Sequence, residues 1–188
     1  MWFGVGQGRL LTCTEQTRPV RPDWPEVTTF ADEAGACTTA GGVSAFRRDL
    51  ATGDISWLGT VPSGGDGPCH LCLTLDGRFL LVANYDSGPV SVFALGPDGA
   101  LGKMTCHVEH VGRGPNAERQ GGPHPHMVSV DPRAADLLVA DLGMDAVLTY
   151  ALSEEGELVE RPEGRIDMRQ GQGLGTWRSA RAVSTYSS

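Results

Sequence analysis

Hydrophobic and polar residues alternate along short segments of the chain, and each segment ends at a turn rich in glycine, proline or aspartate. The first clear segment, residues 41–47, is followed by the turn Asp49-Leu-Ala-Thr-Gly-Asp and by a second segment, residues 55–61. A period of two residues is typical of a β-strand, so this pair predicts a hairpin. Residues 79–83, Phe-Leu-Leu-Val-Ala, are continuously apolar instead, which indicates a strand buried on both faces.

This pattern recurs along the chain as a repeat. Residues 70–95 and 127–152 each contain a short strand, a turn, an apolar strand and an alternating strand, shifted by 56 to 57 residues. The preceding copy is shorter, mainly because residues 112–122 form an insertion between the two units. Four short strands per repeat at this period predict the blades of a β-propeller. A parallel βαβ repeat is disfavoured because no window of helical period separates the strands.

Both ends of the chain lack the repeat. Residues 1–40 show neither helical nor strand period, and their prolines interrupt any hydrogen-bond ladder, so we predict an irregular segment or a degraded blade. The blades then occupy residues 41–160, and residues 161–188 form a tail without blade motifs. Codons for this tail can be chosen so that a shifted frame reads Gly-Pro-Gly-Pro-Arg-His-Leu-Ala-Phe, which has the form of a blade opening. We therefore expect a slip of the reading frame between about Pro162 and Gly171.

Composition and charge narrow the possible partners. The chain has 188 residues with 26 Gly and 12 Pro, which fits a turn-rich β protein. Its formal net charge is -8 and its basic residues form no run, so we expect neither nucleic acid nor membrane as a partner. No membrane helix or secretory leader is evident, and the five cysteines lack a disulfide framework. These features predict a cytoplasmic protein with reduced thiols.

Two sequence motifs carry a resemblance to a known family. Residues 76–85, Asp-Gly-Arg-Phe-Leu-Leu-Val-Ala-Asn-Tyr, and residues 119–126, Arg-Gln-Gly-Gly-Pro-His-Pro-His, are similar to segments of the seven-bladed propeller lactonases, the 6-phosphogluconolactonase and cycloisomerase 2 family. The likeness runs from about Gly41 to Leu158, and the second motif is its most specific part. It implies an all-β fold, a partial β-propeller of about two and a half four-stranded blades out of seven.

The resemblance also implies an activity. The expected reaction is hydrolysis of a sugar lactone, with 6-phosphogluconolactone as the small-molecule substrate and without a cofactor. An open arc of blades exposes two sheet edges, so we expect this chain to be incomplete or inactive by itself and able to self-associate through those edges. The alternative function is a non-catalytic propeller that serves as a binding platform.

The predicted catalytic residues are His124, His126 and Asp141. A neutral imidazole can accept a proton from water, as lactone opening requires, and two histidines two positions apart face the same side of a strand. First strands of propeller blades line the central channel, which places the pair near its mouth. Alternatively, one histidine caps the turn between blades. Asp141 ends an apolar strand, where it either orients a histidine or accepts hydrogen bonds from the backbone.

The predicted substrate-binding residues are Asn84, Tyr85, Arg119 and His70. Asn84 can bind a sugar hydroxyl or satisfy backbone groups at a strand end, with Tyr85 beside it. Arg119 lies in the insertion, where it either pairs with a substrate carboxylate or phosphate or remains a solvated loop charge. His70 is the equivalent of His126, and its recurrence favours a structural role in the turn. The family resemblance further implies arginine and glutamate residues from later blades.

A Cys-x-x-Cys motif offers a competing chemistry. The spacing of Cys69-His-Leu-Cys72 can hold zinc or support disulfide exchange. The motif falls on a strand that the repeat already explains, and no second cysteine pair accompanies it. We therefore expect neither a metal site nor a redox function.

Overall fold

The computed structural model describes residues 41–170 in full and, before them, only the backbone of residues 2–6, 9–14, 30–31 and 37–38. Within these residues nearly all regular structure is β, and the only helical element is a 3₁₀ turn, Pro162–Gly164. No helix in this part of the chain has the length and apolar character needed to span a bilayer. The strands are β1 (Trp2–Gly6), β2 (Arg9–Thr14), β3 (Phe30–Ala31), β4 (Cys37–Thr38), β5 (Gly42–Arg48), β6 (Ile55–Pro62), β7 (Pro68–Leu73), β8 (Phe79–Asn84), β9 (Pro89–Leu95), β10 (Leu101–Glu109), β11 (Pro125–Val130), β12 (Leu137–Asp141), β13 (Ala146–Leu152), β14 (Leu158–Glu160) and β15 (Ile166–Asp167).

The strands build three antiparallel sheets, which we call blades 1, 2 and 3. Their strand orders are β1-β2-β5-β6, β7-β8-β9-β10 and β11-β12-β13-β14, while β15 adds to β13 and β3 pairs with β4 separately. The first strand of blade 2, β7, packs against β1 and β2 on one side and against β11 on the other. In a propeller, the blades repeat radially around a central channel, so that neighbouring blades pack against each other near their first strands. These contacts fit that arrangement, and the predicted fold class is confirmed.

Residues 1–40, for which the sequence left an irregular segment or a degraded blade open, contain two strands of blade 1. β1 pairs with β2, and β2 pairs with β5 from Arg9–Arg47 to Thr14–Gly42. Blade 1 therefore has four strands, and three blades replace the expected two and a half. The sequence pattern hid β1 because glycines occupy two of its five positions, and glycine is depleted in strands. Pairing with the well-patterned β5 overrides this weak local preference.

The blade pattern also extends beyond the boundary expected at residue 161. After the 3₁₀ turn, Ile166 and Asp167 pair with Val147 and Ala146 of β13, so β14 and β15 together act as the outer strand of blade 3. The Thr149 hydroxyl donates a hydrogen bond to the Gly164 carbonyl at 2.7 Å, which holds the turn on the blade. The tail after the predicted frame slip, residues 171–188, lies outside the described residues.

Apolar side chains fill the space between neighbouring blades. β8 is buried along its whole length: Phe79, Leu81 and Ala83 belong to the cluster shared with blade 3, whereas Leu80 and Val82 belong to the cluster shared with blade 1. This confirms the prediction that the continuous apolar run is covered on both faces. Because each such side chain contributes roughly 1.5 to 3 kcal/mol when fully buried, these clusters hold the blades in register.

Candidate functional site

The predicted site residues gather at one end of the blades. We call this end, where β8 and β12 finish and β7 and β11 begin, the upper face. Tyr85 directly follows β8 of blade 2, and His124 directly precedes β11 of blade 3. The turn after one blade's second strand therefore meets the opening of the next blade. This junction joins residues that are far apart in sequence.

Tyr85 lies between the two histidines of the specific motif. Its ring stacks on that of His124, with centroids 4.6 Å apart and planes inclined by 21°. It meets His126 edge-on, with centroids 5.6 Å apart and an angle of 88°. Both histidines and Tyr85 therefore form one aromatic group.

A backbone hydrogen bond fixes the tautomer of His124. Its Nδ1 lies 2.7 Å from the carbonyl oxygen of Tyr85. Because a carbonyl oxygen can only accept, Nδ1 carries the hydrogen, and the neutral ring keeps its lone pair on Nε2. His124 is thus prepared to accept a proton through Nε2.

A cavity of about 340 Å³ opens beside this group. Its lining includes Tyr85 and His126 together with Gly67, Cys69 and Asp86. The volume falls within the range of roughly 300 to 1,000 Å³ that is typical of small-molecule sites. Asp86 supplies carboxylate oxygens that can accept hydrogen bonds from sugar hydroxyls.

Asp141 contacts two histidines, but in different ways. Its Oδ2 accepts a hydrogen bond of 2.6 Å from Nδ1 of His110, and both side chains are almost completely buried. Its Oδ1 accepts from the backbone N–H groups of His124 and Met144, at 2.8 and 3.1 Å. Asp141 therefore orients the ring of His110 and the backbone of His124.

Sequence reasoning missed His110. It follows β10 directly and lies just before the insertion, with its ring stacked on Tyr150 at 6.0 Å between centroids. Two signals were available: a histidine at the end of an outer strand, and an aspartate that ends a buried strand and needs a donor. Neither signal shows that His110 and Asp141 are partners.

His70 serves as a structural link. Its Nδ1 accepts a hydrogen bond of 3.4 Å from the backbone N–H of Val128, which joins β7 to β11. Burial, and to a smaller extent the nearby His126, lower the pKa of His70 from its ordinary value of 6.5 to about 4. The ring is therefore neutral at pH 7, and this geometry supports the structural alternative for His70.

The side chain of Asn84 makes its hydrogen bonds within the junction between blades 1 and 2. Its side-chain amide is fully buried and donates to the carbonyl oxygens of Ser63 and Pro89 and to Oγ of Ser91, each at 3.3 Å. These contacts favour the strand-end role among the two that the sequence left open. Tyr85, its neighbour, is the residue that reaches the cavity.

Arg119 projects from a loop that a buried glutamine anchors. Gln120 donates from Nε2 to the carbonyl oxygen of Leu142 at 2.9 Å and accepts from the N–H of Asn116 at 3.0 Å. Gly114 leaves the space that the Gln120 side chain fills, since a Cβ there would lie 2.5 Å from it. The loop is therefore fixed on blade 3, and the side chain of Arg119 remains exposed on it.

The two cysteines of the Cys-x-x-Cys motif bind backbone carbonyls. The Cys69 thiol lies 3.5 Å from the carbonyl oxygens of Pro125 and His126, and the Cys72 thiol donates to that of Leu73 at 3.4 Å. Burial raises the pKa of Cys72, which keeps its thiol protonated. Within the described residues, no three histidine, cysteine or acidic side chains converge in a group able to hold a metal ion.

The pKa of His70 predicts a pH-dependent stability. Since folding lowers this pKa, the unfolded chain binds more protons between about pH 6.5 and 4, and stability is lost as the pH falls through that window. We expect the urea midpoint of the chain to fall more between pH 7 and 4.5 than that of His70→Asn, which keeps an acceptor for Val128 but does not titrate. Parallel pH profiles of the two proteins would contradict this expectation.

Comparison with known proteins gives consistent matches. The family model described as "Lactonase, 7-bladed beta-propeller" matches residues 7–174. The 6-phosphogluconolactonase of Bacillus subtilis (strain 168) is 38% identical over 120 residues, which cover 64% of this chain and 34% of the relative. The 6-phosphogluconolactonase of Formosa agariphila is 28% identical over 115 residues, covering 61% of this chain and 33% of that protein.

Solved structures agree in fold. The periplasmic gluconolactonase of Pseudomonas aeruginosa superimposes with a TM-score of 0.71 at 25% identity, covering 89% of this chain and 43% of the other. A protein from Lactobacillus plantarum superimposes with a TM-score of 0.63 at 34% identity, covering 71% and 37%. The chain spans about a third of the length of the curated relatives that it matches.

Proposed function

Because this chain belongs to the seven-bladed β-propeller lactonase family, we propose that its blades carry part of a site that hydrolyses 6-phosphogluconolactone to 6-phosphogluconate. The observation that carries the proposal is the orientation of His124, whose Nδ1–H is bound by the Tyr85 carbonyl and whose Nε2 keeps the lone pair. A general base with this geometry is what water attack on a lactone needs at neutral pH.

The reaction proceeds by addition of water. His124 accepts a proton through Nε2 as the water oxygen attacks the lactone carbonyl carbon. The bond between that carbon and the ring oxygen then breaks, and the proton passes to the released oxygen, which gives the open-chain hydroxy acid. His126 and Tyr85 line the cavity in which the ring would lie.

Charge stabilisation and substrate anchoring complete the site. Negative charge that develops on the carbonyl oxygen needs hydrogen-bond donors or cations close to it. Arg119, exposed on its anchored loop, is suited to pair with the phosphate of the substrate. The family resemblance assigns further arginine and glutamate residues to later blades.

Ring closure is part of the proposal. The described residues form three blades, whereas the matching family has seven, and isolated blades leave sheet edges unpaired. We therefore assign hydrolysis to the closed ring, and self-association through open edges to the separate chain. A phosphorylated sugar substrate favours a role in the pentose phosphate route and a cytoplasmic location.

A hybrid protein tests the function. In this hybrid, residues 41–167 replace the corresponding segment of the Bacillus subtilis 6-phosphogluconolactonase. We expect the hybrid to hydrolyse 6-phosphogluconolactone, and the separate chain at equal concentration to show little activity. A correctly folded hybrid without hydrolysis would favour the binding platform instead.

A further inference from the structure

We propose that His110 is a positioning residue that fixes His124 through Asp141. The proposal deepens the function above, since it rests on His124 being the general base. His110 does not touch the cavity lining, and its effect would pass through hydrogen bonds.

Three hydrogen bonds hold His124 in place. The backbone N–H of His124 donates to Oδ1 of Asp141 at 2.8 Å, and the backbone carbonyl oxygen of His124 accepts from the N–H of Leu142 at 2.9 Å. The ring Nδ1 of His124 donates to the carbonyl oxygen of Tyr85 at 2.7 Å. The first of these depends on how the Asp141 carboxylate is turned. A carboxylate that rotates would release the backbone N–H of His124.

His110 determines that rotation. Its Nδ1–H donates to the second oxygen, Oδ2, at 2.6 Å, with side-chain exposures of 1% for His110 and 0% for Asp141. Hydrogen bonds to a carboxylate are stronger than neutral ones, and burial excludes water as a replacement donor. His110 therefore holds one oxygen of the carboxylate, while the backbone N–H groups of His124 and Met144 bind the other.

Blade 2 provides an internal comparison. At its opening, Asn84 stands in the place of Asp141 and Gly67 in that of His124. The strand register thereby matches His70 with Met127 and not, as the sequence alignment had it, with His126. The Tyr85 N–H donates to the Gly67 carbonyl at 2.9 Å, as the Leu142 N–H does to that of His124. The Asn84 amide donates to the Ser63 carbonyl instead of accepting from a histidine. A blade junction therefore forms without a histidine–aspartate pair. The pair occurs where the blade opening carries the proposed general base.

Packing is the competing explanation, because the His110 ring stacks on Tyr150 at an interplanar angle of 11°. Two substitutions separate packing from hydrogen bonding. His110→Asn keeps a donor near the position of Nδ1 but removes the ring. His110→Phe keeps a ring against Tyr150 but removes the donor.

The primary test is nuclear magnetic resonance of the full chain labelled with ¹⁵N in histidine. The His124 Nδ1–H signal is identified by its loss in His124→Gln, and its exchange with water is measured. We expect His110→Asn to keep this signal with exchange within about threefold of the unsubstituted chain. His110→Phe should lose it or show exchange at least about tenfold faster, because tenfold corresponds to about 1.4 kcal/mol, near the lower end of what a lost hydrogen bond to a charged group costs.

The opposite result, a signal kept in His110→Phe and lost in His110→Asn, would overturn the proposal in favour of packing. Equal behaviour of both variants, including unfolding of both by circular dichroism, would overturn it as well. If only His110→Phe unfolds, the smaller His110→Leu replaces it under the same criteria.

Kinetics of the hybrid separate this proposal from the proposed function. In the hybrid, His110→Phe should lower kcat by about 10- to 100-fold and leave KM within about twofold. His110→Asn should retain most of the kcat of the unsubstituted hybrid. Loss of the His124 signal in a hybrid that never hydrolyses the lactone would uphold the positioning role and reject the function.

Discussion

Replacing His124 by alanine is expected to lower kcat for 6-phosphogluconolactone hydrolysis by the hybrid about 10²- to 10⁴-fold, which is the usual contribution of a general base. The effect should fall on kcat more than on KM, because the lost interaction is made with the attacking water. His126→Ala, which alters the cavity lining, should raise KM as well. The measurement is a steady-state assay that follows acid release, corrected for spontaneous hydrolysis.

A matched control is available on the outer strand of blade 2. His107 lies on β10, its ring contacts Ser91, and it is not one of the residues that line the cavity. We expect His107→Ala to keep kcat within about twofold, as surface substitutions away from a site generally do. Unchanged rates in both His124→Ala and His126→Ala would remove the site assignment and favour a binding platform.

Replacing Asp141 by alanine should produce the largest loss of stability, about 3 to 5 kcal/mol, because three donors lose their acceptor and each unsatisfied buried group costs roughly 1 to 3 kcal/mol. The substitution leaves the His110 ring N–H and the backbone N–H groups of His124 and Met144 without their acceptor in an apolar surrounding. Urea titration of the unsubstituted and the substituted chain at pH 7 gives the two free energies of unfolding, and their difference is the loss of stability.

Asn84→Ala is the matched comparison, because Asn84 occupies the same position in blade 2. Its amide donates to neutral oxygens only, so its loss should cost about 1 to 3 kcal/mol. Equal losses for the two variants would show that the carboxylate of Asp141 has no special role at the junction.

Most of the fold could be predicted from local pattern. A period of two residues depends on neighbouring positions alone, so strands such as β9 and β13 are evident in the sequence, and the apolar run of β8 indicates burial on both faces. β1 escaped prediction because glycines weaken its pattern, and its partner β2 pairs in turn with β5, which lies far along the chain. Whether a weakly patterned segment forms a strand therefore depends on the strand with which it pairs.

The site could be predicted only in part. The motif and the repeat placed His124, His126 and Tyr85 at adjoining blade openings, and their rings are in contact there. The hydrogen bond between His110 and Asp141 joins residues 31 positions apart, and neither residue is unusual in its own segment. For Asn84, the sequence left a structural and a functional role open, and only its buried contacts favour the structural one. For His70, the contact with Val128 agrees with the structural role that its recurrence already favoured.

A crystal structure of the hybrid with 6-phosphogluconolactam tests the central claim most directly. This analogue has N–H in place of the ring oxygen, so its amide resists hydrolysis. The account predicts that the ligand fills the cavity beside Tyr85 and His126, with a water bound to Nε2 of His124 about 3 to 3.5 Å from the carbonyl carbon. Binding at the opposite end of the blades, in the groove of about 270 Å³ that includes Thr74, Arg78 and Glu154, would contradict it.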